Sequence, residues 1–131
     1  MKKSIILFAI ALALTIAACS KSGAAAGSSD SDEKKAIAAV EKYFNCIGND
    51  DFVNIKKYAN SGGVDIAMFI NAFSSEADKE LMKNYKVDVV EVEFENNNYY
   101  ITVNCVSGTE RIQFIKENNI WLVNDFIAKT K

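Results

Sequence analysis

The period of the apolar residues changes from helical to strand-like near Tyr85, and no other feature of the sequence constrains the fold as strongly. Before this point Ile37, Val40, Phe44 and Ile47 recur every three or four residues, which places them on one side of a helix. After it, apolar and polar residues alternate, as in half-buried strands. Helices followed by strands with short connections predict an α+β domain, in which N-terminal helices pack on a four-stranded antiparallel sheet.

The helical part of the sequence divides at polar and glycine-rich breaks. A first helix is predicted from about residue 32 to 48, and a second, short helix follows the capping residues 49–51. The sequence Asn-Ser-Gly-Gly at 60–63 ends that second helix. The apolar stretch 64–82 then forms either one helix that kinks near Ser75 or two separate helices.

The strand part begins with Val90, Val92 and Phe94, which alternate with three glutamates and are predicted to face the core. The last strand is predicted from Ile120 to about Ile127. Asparagine and glycine separate the strands, because both accept positive φ more readily than most residues. The three turns lie at 96–98, 107–108 and 117–119.

The first nineteen residues predict where the protein resides. Residues 1–18 have two lysines, an apolar run and a small-residue end, as secretory signals do. The order Ile16-Ala17-Ala18-Cys19 resembles the lipobox of bacterial lipoproteins, which implies lipidation at Cys19. Ordinary cleavage, with Cys19 present by chance, is the alternative. A permanent span is disfavoured because crossing the hydrocarbon core takes roughly 20 apolar residues.

Three segments follow from these observations: a signal peptide at 1–18, a lipidated flexible tether at 19–31 and the α+β domain at 32–131. The tether is rich in serine, glycine and alanine, and about 12 such residues span on the order of 20 Å. The lipid anchor makes the membrane a partner and places the domain at the bacterial cell envelope, facing the periplasm or the exterior. The formal charge of -2 disfavours nucleic acid as a partner.

Three stretches carry a resemblance to a known family: 39–52, 56–58 and 119–123. The first ends a long helix at a Gly-Asn-Asp-Asp-Phe corner, and the last places Trp121 before aliphatic residues. They resemble small bacterial lipoprotein domains of unknown function similar to nuclear transport factor 2, a cystatin-like fold. The resemblance implies a cone of curved sheet and helices. That shape is shared by isomerases, dehydratases and transport factors, so it does not decide function.

Enzymes of that superfamily place an acid or base in the mouth of the cone, commonly Asp, His or Tyr. This chain has no histidine, so proton transfer near neutral pH would need a carboxylate or lysine whose pKa is shifted by burial. Asp65, Asp88 and Tyr43 are the candidates nearest the predicted interior. Helix capping by Asp65, exposure of Asp88 and core packing of Tyr43 are the simpler interpretations. The sequence therefore predicts no catalytic residue.

No cofactor or metal site is predicted either. The chain lacks the Cys and His spacing of metal sites and the glycine-rich loops that hold phosphates. Cys46 and Cys105 could face each other across the core of an exported domain. A disulfide needs Cα atoms within about 7 Å, a distance that the sequence does not establish. Two buried thiols are favoured, because small buried thiols are common in cores.

The leading functional hypothesis is a non-catalytic module that holds a small apolar ligand or a partner protein at the envelope. If side chains of the protein itself fill the cone, ligand binding is excluded and partner binding remains as the hypothesis. One alternative is a small hydrolase or isomerase that uses a pocket carboxylate or tyrosine. Another is an accessory subunit of an envelope assembly, which would expose an apolar patch. The candidate pocket residues are Tyr43, Phe44, Phe69, Phe73, Phe94 and Trp121.

Overall fold

The fold is taken from a computed structural model, which describes residues 30–128. The predicted signal peptide, the lipidation site Cys19 and all but the end of the predicted tether lie outside the described residues. No helix between residues 30 and 128 is both long and apolar enough to cross a bilayer. The helical elements are α1 (Asp30–Gly48), a short 3-10 helix (Asn54–Lys57), α2 (Ser61–Phe73) and α3 (Glu76–Lys83).

The first helix packs one side against the sheet, as the spacing of its apolar residues predicts. Val40, Tyr43 and Ile47 are fully buried, and Phe44 is 3% exposed. The helix ends at Gly48, where a Cβ atom would collide with the backbone of α3. Glycine at this position therefore allows the end of α1 to lie directly against α3.

The stretch 64–82 forms two helices, because Ser75 begins a new one. The Ser75 hydroxyl accepts a hydrogen bond from the Asp78 amide at 3.1 Å, and the Asp78 carboxylate accepts one from the Ser75 amide at 3.5 Å. This reciprocal pair is a capping box.

The break predicted at 60–63 was only partly correct. Asn60 ends the preceding segment and caps α2, accepting a hydrogen bond from the Gly63 amide at 3.0 Å. Gly63 lies inside α2 and touches the strand that contains Val123, where a Cβ atom would collide with the Val123 carbonyl. The glycine serves close packing there and does not end a helix.

The four strands form an antiparallel meander in the order β1-β2-β3-β4, and the sheet does not close into a barrel. The α+β class is thus confirmed. Asn96, Asn97, Asn118 and Asn119 have φ between 53° and 67° in the first and third of the three hairpin turns, as predicted. The strands are β1 (Asp88–Glu95), β2 (Asn98–Cys105), β3 (Gly108–Glu117) and β4 (Ile120–Phe126).

The predicted alternation of β1 is wrong at Val90. The pairing with β2 shifts between Val89 and Glu91, and Val90 is 53% exposed. An extra residue in one strand changes the face on which the preceding side chains lie. Only Val92 and Phe94 keep the predicted direction, partly buried against the core.

The space between α1 and the sheet is filled by side chains of the protein itself. Ile101, Ile112, Phe114 and Val123 of the sheet are fully buried opposite the apolar side of α1. Tyr43 lies among them and donates its hydroxyl hydrogen to the Gly63 carbonyl at 2.7 Å. The predicted interior of the cone is therefore occupied at this level by the protein's own side chains.

Candidate functional site

The six aromatic residues predicted to line one pocket lie in three places. Phe44, Phe69 and Phe73 line a surface cleft of about 240 Å³. Phe94 and Trp121 line a more open depression near the β1-β2 turn. Tyr43 lines neither and belongs to the core.

The cleft lies where the end of α2, α3 and the β2-β3 turn meet. Phe44 and Met82 are almost fully buried and form its base. The remaining lining residues are Phe69, Ile70, Phe73, Ser74, Asp78, Cys105, Val106 and Ser107. The cleft is thus apolar in its depth and partly polar at its edge.

Phe69 and Phe73 are unusually exposed for phenylalanines. Their exposed fractions are 64% and 77%, and Met68 beside them is 52% exposed. The two rings lie one helical turn apart with centroids separated by 4.7 Å. Among the described residues they form an aromatic pair that packs on itself and still presents most of its surface to solvent. Such a patch commonly marks an interaction site.

The polar edge of the cleft contains no reactive thiol. The Cys105 Sγ atom lies 3.6 Å from the Ser107 hydroxyl, which also reaches the Glu110 carboxylate at 3.3 Å. Burial raises the pKa of the Cys105 thiol, so the thiolate needed for nucleophilic attack is depleted near neutral pH. Cys46 and Cys105 are both free, with Cys46 buried and Cys105 half-buried.

The three acid-base candidates do not meet. Burial raises the pKa of Tyr43 far above its ordinary value. Asp65 is exposed in the second turn of α2 and does not cap that helix, because Asn60 does. It lines a separate, more open depression beside Asn60. Asp88 is exposed on β1 and accepts a hydrogen bond from the Asn104 amide at 3.2 Å.

The depression around Trp121 differs in chemistry from the cleft. It has a volume of about 340 Å³ and is also lined by two asparagines, Ile115 and Lys116. Lys116 lies 5.5 Å above the Trp121 ring and 3.6 Å from the Asp32 carboxylate. Trp121 is only 5% exposed, so its ring offers little surface on which a ligand could stack.

The cleft and the start of α1 lie at opposite ends of the domain. The ion pair between Asp32 and Lys116 holds the start of α1 beside the end of β3. The other end of α1 contributes Phe44 to the cleft. A helix of 19 residues is about 28 Å long at about 1.5 Å per residue. The cleft therefore lies toward the end of α1 that is remote from its start.

Sequence reasoning did not assign to the pocket the residues that complete the cleft: Ile70, Ser74, Asp78, Met82, Cys105, Val106 and Ser107. The sequence did contain a signal for this cleft, because α2 has one charged residue, Asp65, among its 13 residues. A helix that is apolar on nearly all sides is normally buried. Here one side contacts β4 and α1, and the other remains uncovered in the described fold.

The described residues contain no group of three or more His, Cys, Asp or Glu side chains able to hold a metal ion. Comparison with family models, curated proteins and solved structures gives no match to this chain. The resemblance to lipoprotein domains similar to nuclear transport factor 2 therefore stays a prediction.

Proposed function

We propose that the chain is a non-catalytic, lipid-tethered module of the bacterial cell envelope, and that its cleft binds an apolar segment of a partner protein. The exposed pair of Phe69 and Phe73 carries this proposal. Leaving two adjacent phenylalanines exposed to water forgoes the free energy gained by burying them, about 1.5–3 kcal/mol for each side chain. A partner that covers them would recover it.

The size of the cleft favours a protein segment over a small ligand. Pockets for small molecules usually measure about 300–1,000 Å³, whereas this cleft has about 240 Å³. That volume suits one or two apolar side chains that a longer segment inserts. The interior of the domain is filled by Tyr43, Phe114 and their neighbours, which further disfavours an enclosed ligand.

The chemistry of the cleft supports binding without catalysis. Asp78 is the charged group among its lining residues, and its carboxylate takes part in the capping box of α3. The nearest thiol is kept protonated by burial, which raises the pKa of Cys105. Tyr43 lies in the core with its hydroxyl donated to a backbone carbonyl. The Ser107 hydroxyl at the exposed edge donates to the Glu110 carboxylate at 3.3 Å, but the chain has no histidine to act as a general base near neutral pH.

The predicted anchor at Cys19 suits a cleft on the far side of the domain. The tether joins the domain at the start of α1, about 28 Å from the other end of that helix. A partner can then reach Phe69 and Phe73 from the aqueous side without competing with the bilayer. If this partner stays bound permanently, the protein is an accessory subunit of an envelope assembly.

A photoreactive phenylalanine analogue at position 73 tests the proposal in cells. We expect it to form a discrete covalent adduct with one protein, and the adduct to disappear when Phe69→Ser removes the neighbouring ring. Phe69→Ser should change the free energy of unfolding by no more than about 0.5 kcal/mol, because the ring is mostly exposed.

The matched control places the same analogue at Val53, which is 80% exposed and does not line the cleft. Equal adducts from positions 53 and 73, or adducts at 73 that survive Phe69→Ser, would contradict binding at the cleft.

A further inference from the structure

We infer that the segment bound by the cleft is cationic, with Lys or Arg placed beside one or two apolar anchor residues. The inference rests on the proposed function, because it specifies the partner of the same cleft. Its basis is the distribution of charge around an apolar surface whose aromatic pair is exposed.

The fixed charges at the edge of the cleft are negative. Asp78 lines one side, and Glu110 lies behind Ser107 on the opposite side, within 3.3 Å of its hydroxyl. Neither Lys nor Arg occurs among the described residues that line the cleft. In α2 the one charged residue is Asp65, so that helix also offers no cation.

The lysines of α3 are already paired with carboxylates. Lys79 lies 3.7 Å from Asp50 and 3.8 Å from Glu76, and its side chain is only 18% exposed. Lys83 lies 3.3 Å from Glu80. The Asn71 amide and Lys79 hold the pKa of Asp50 below its usual range, consistent with a carboxylate that stays charged beside Lys79. The lysines of α3 therefore do not neutralise the edge formed by Asp78.

A second copy of the chain fits this surface less well than a peptide segment does. The exposed parts of Met68, Phe69 and Phe73 amount to roughly 400 Å² per copy, taking about 200 Å² for each side chain. A stable interface buries about 800 Å² on each partner. Two copies meeting here would also bring two acidic edges together, whereas a cationic segment would neutralise one.

Three labelled peptides test the inference with the full mature chain in nanodiscs of phosphatidylcholine. Each peptide is helical and has twelve residues. The first carries two leucines four residues apart and four lysines, the second replaces the lysines with glutamates, and the third replaces the leucines with serines. Fluorescence anisotropy gives each Kd, and empty nanodiscs provide the correction for binding to lipid.

We expect the lysine peptide to bind at least about fivefold more tightly than the glutamate peptide in low salt. The difference should shrink at high ionic strength, since exposed charges are screened. Asp78→Asn should weaken the lysine peptide about two- to fivefold, the range for one exposed ion pair. The serine peptide should bind weakly.

Two further variants serve as controls for Asp78→Asn. Asp78→Glu keeps both the charge and the capping box, and should retain the preference for lysine. Glu91→Gln removes one charge from exposed β1, away from the cleft lining, and should leave all three Kd values unchanged.

The outcomes distinguish this inference from the proposed function. Equal binding of the lysine and glutamate peptides, with both lost in Phe73→Ser, would overturn the inference and keep the apolar site. A lysine preference that survives Asp78→Asn would show that the preference does not come from the Asp78 carboxylate, and would overturn that part of the inference. Binding that Phe73→Ser does not change would overturn the proposed function itself.

Discussion

The buried hydroxyl of Tyr43 connects α1 to α2 and makes the stability of the fold depend on pH. Its hydroxyl is buried and donates to the Gly63 carbonyl, and burial raises its pKa above the ordinary value of 10.0. The folded state therefore binds the phenolic proton more tightly than the unfolded state. The resulting stability is fully present below pH 10 and is lost as the pH rises above it, because the unfolded chain then ionises first.

Tyr43→Phe should therefore flatten the loss of stability above pH 10. Near neutral pH we expect the variant to lose about 1 kcal/mol of unfolding free energy, the usual net value of one hydrogen bond. Urea unfolding at pH 8 and pH 11 measures both effects. Tyr85, whose pKa burial raises to about 12, also keeps its proton in the folded state at pH 11, so Tyr85→Phe should flatten the loss to a similar extent. An equal decline in Tyr43→Phe and the parent protein would contradict this account.

Some single residues could be placed from the sequence and others could not. Phe44 was assigned to the packed side of α1 because a helical period is a local property, and core packing was the simpler interpretation of Tyr43 beside it. Phe69 and Phe73 were assigned to the same pocket as Trp121, and the fold separates them. Their separation depends on where α2 crosses the sheet, which the spacing of residues along one helix does not encode.

At the scale of the elements, breaks that depend on side-chain caps were predictable and breaks that depend on tertiary contacts were not. Ser75 restarts a helix through its own hydroxyl, so the sequence allowed it. Gly62 and Gly63 suggested a break, but Gly63 is held inside α2 by its contact with the Val123 carbonyl. The bulge near Val90 likewise depends on the pairing of β1 with β2.

The cap at Asn60 joins α2 to the outer side of the sheet. Its side-chain oxygen accepts from the Gly63 amide at 3.0 Å, and its amide nitrogen donates to the Asn124 oxygen at 2.8 Å. Asn124 in turn donates to Gln113 at 2.6 Å. Asn60 thus connects the start of α2 to β4, the edge strand of the sheet.

Asn60→Ala should lower the free energy of unfolding by about 2 kcal/mol, combining the loss of an N-cap with that of a partly buried hydrogen bond. Asn60→Ser keeps a capping oxygen but cannot reach Asn124, so it should lose only about 1 kcal/mol. Urea denaturation of the three proteins gives the values. If serine and alanine are equally destabilising, the cap contributes nothing measurable at this position.

At the scale of the whole molecule, the two ends of the domain have different chemistry. The end where α1 begins carries the Asp32-Lys116 ion pair and a nearly buried Trp121. The opposite end carries the exposed phenylalanine pair and an acidic edge. A tether at the first end leaves the second free to meet a partner. The proposed function thus requires both the predicted lipid anchor and the position of the cleft.

The proposed anchoring predicts that Cys19→Ser releases the protein from the membrane. Two acyl chains suffice for stable attachment, with about 0.8 kcal/mol gained for each buried methylene, so their loss should move nearly all of the protein from the membrane pellet to the soluble fraction. Cys105→Ser is the matched control, because it removes a thiol from the cleft and leaves the anchor. It should remain in the pellet. If Cys19→Ser also stays in the pellet, the tether is not what holds the domain at the membrane, and the argument for an outward-facing cleft is lost.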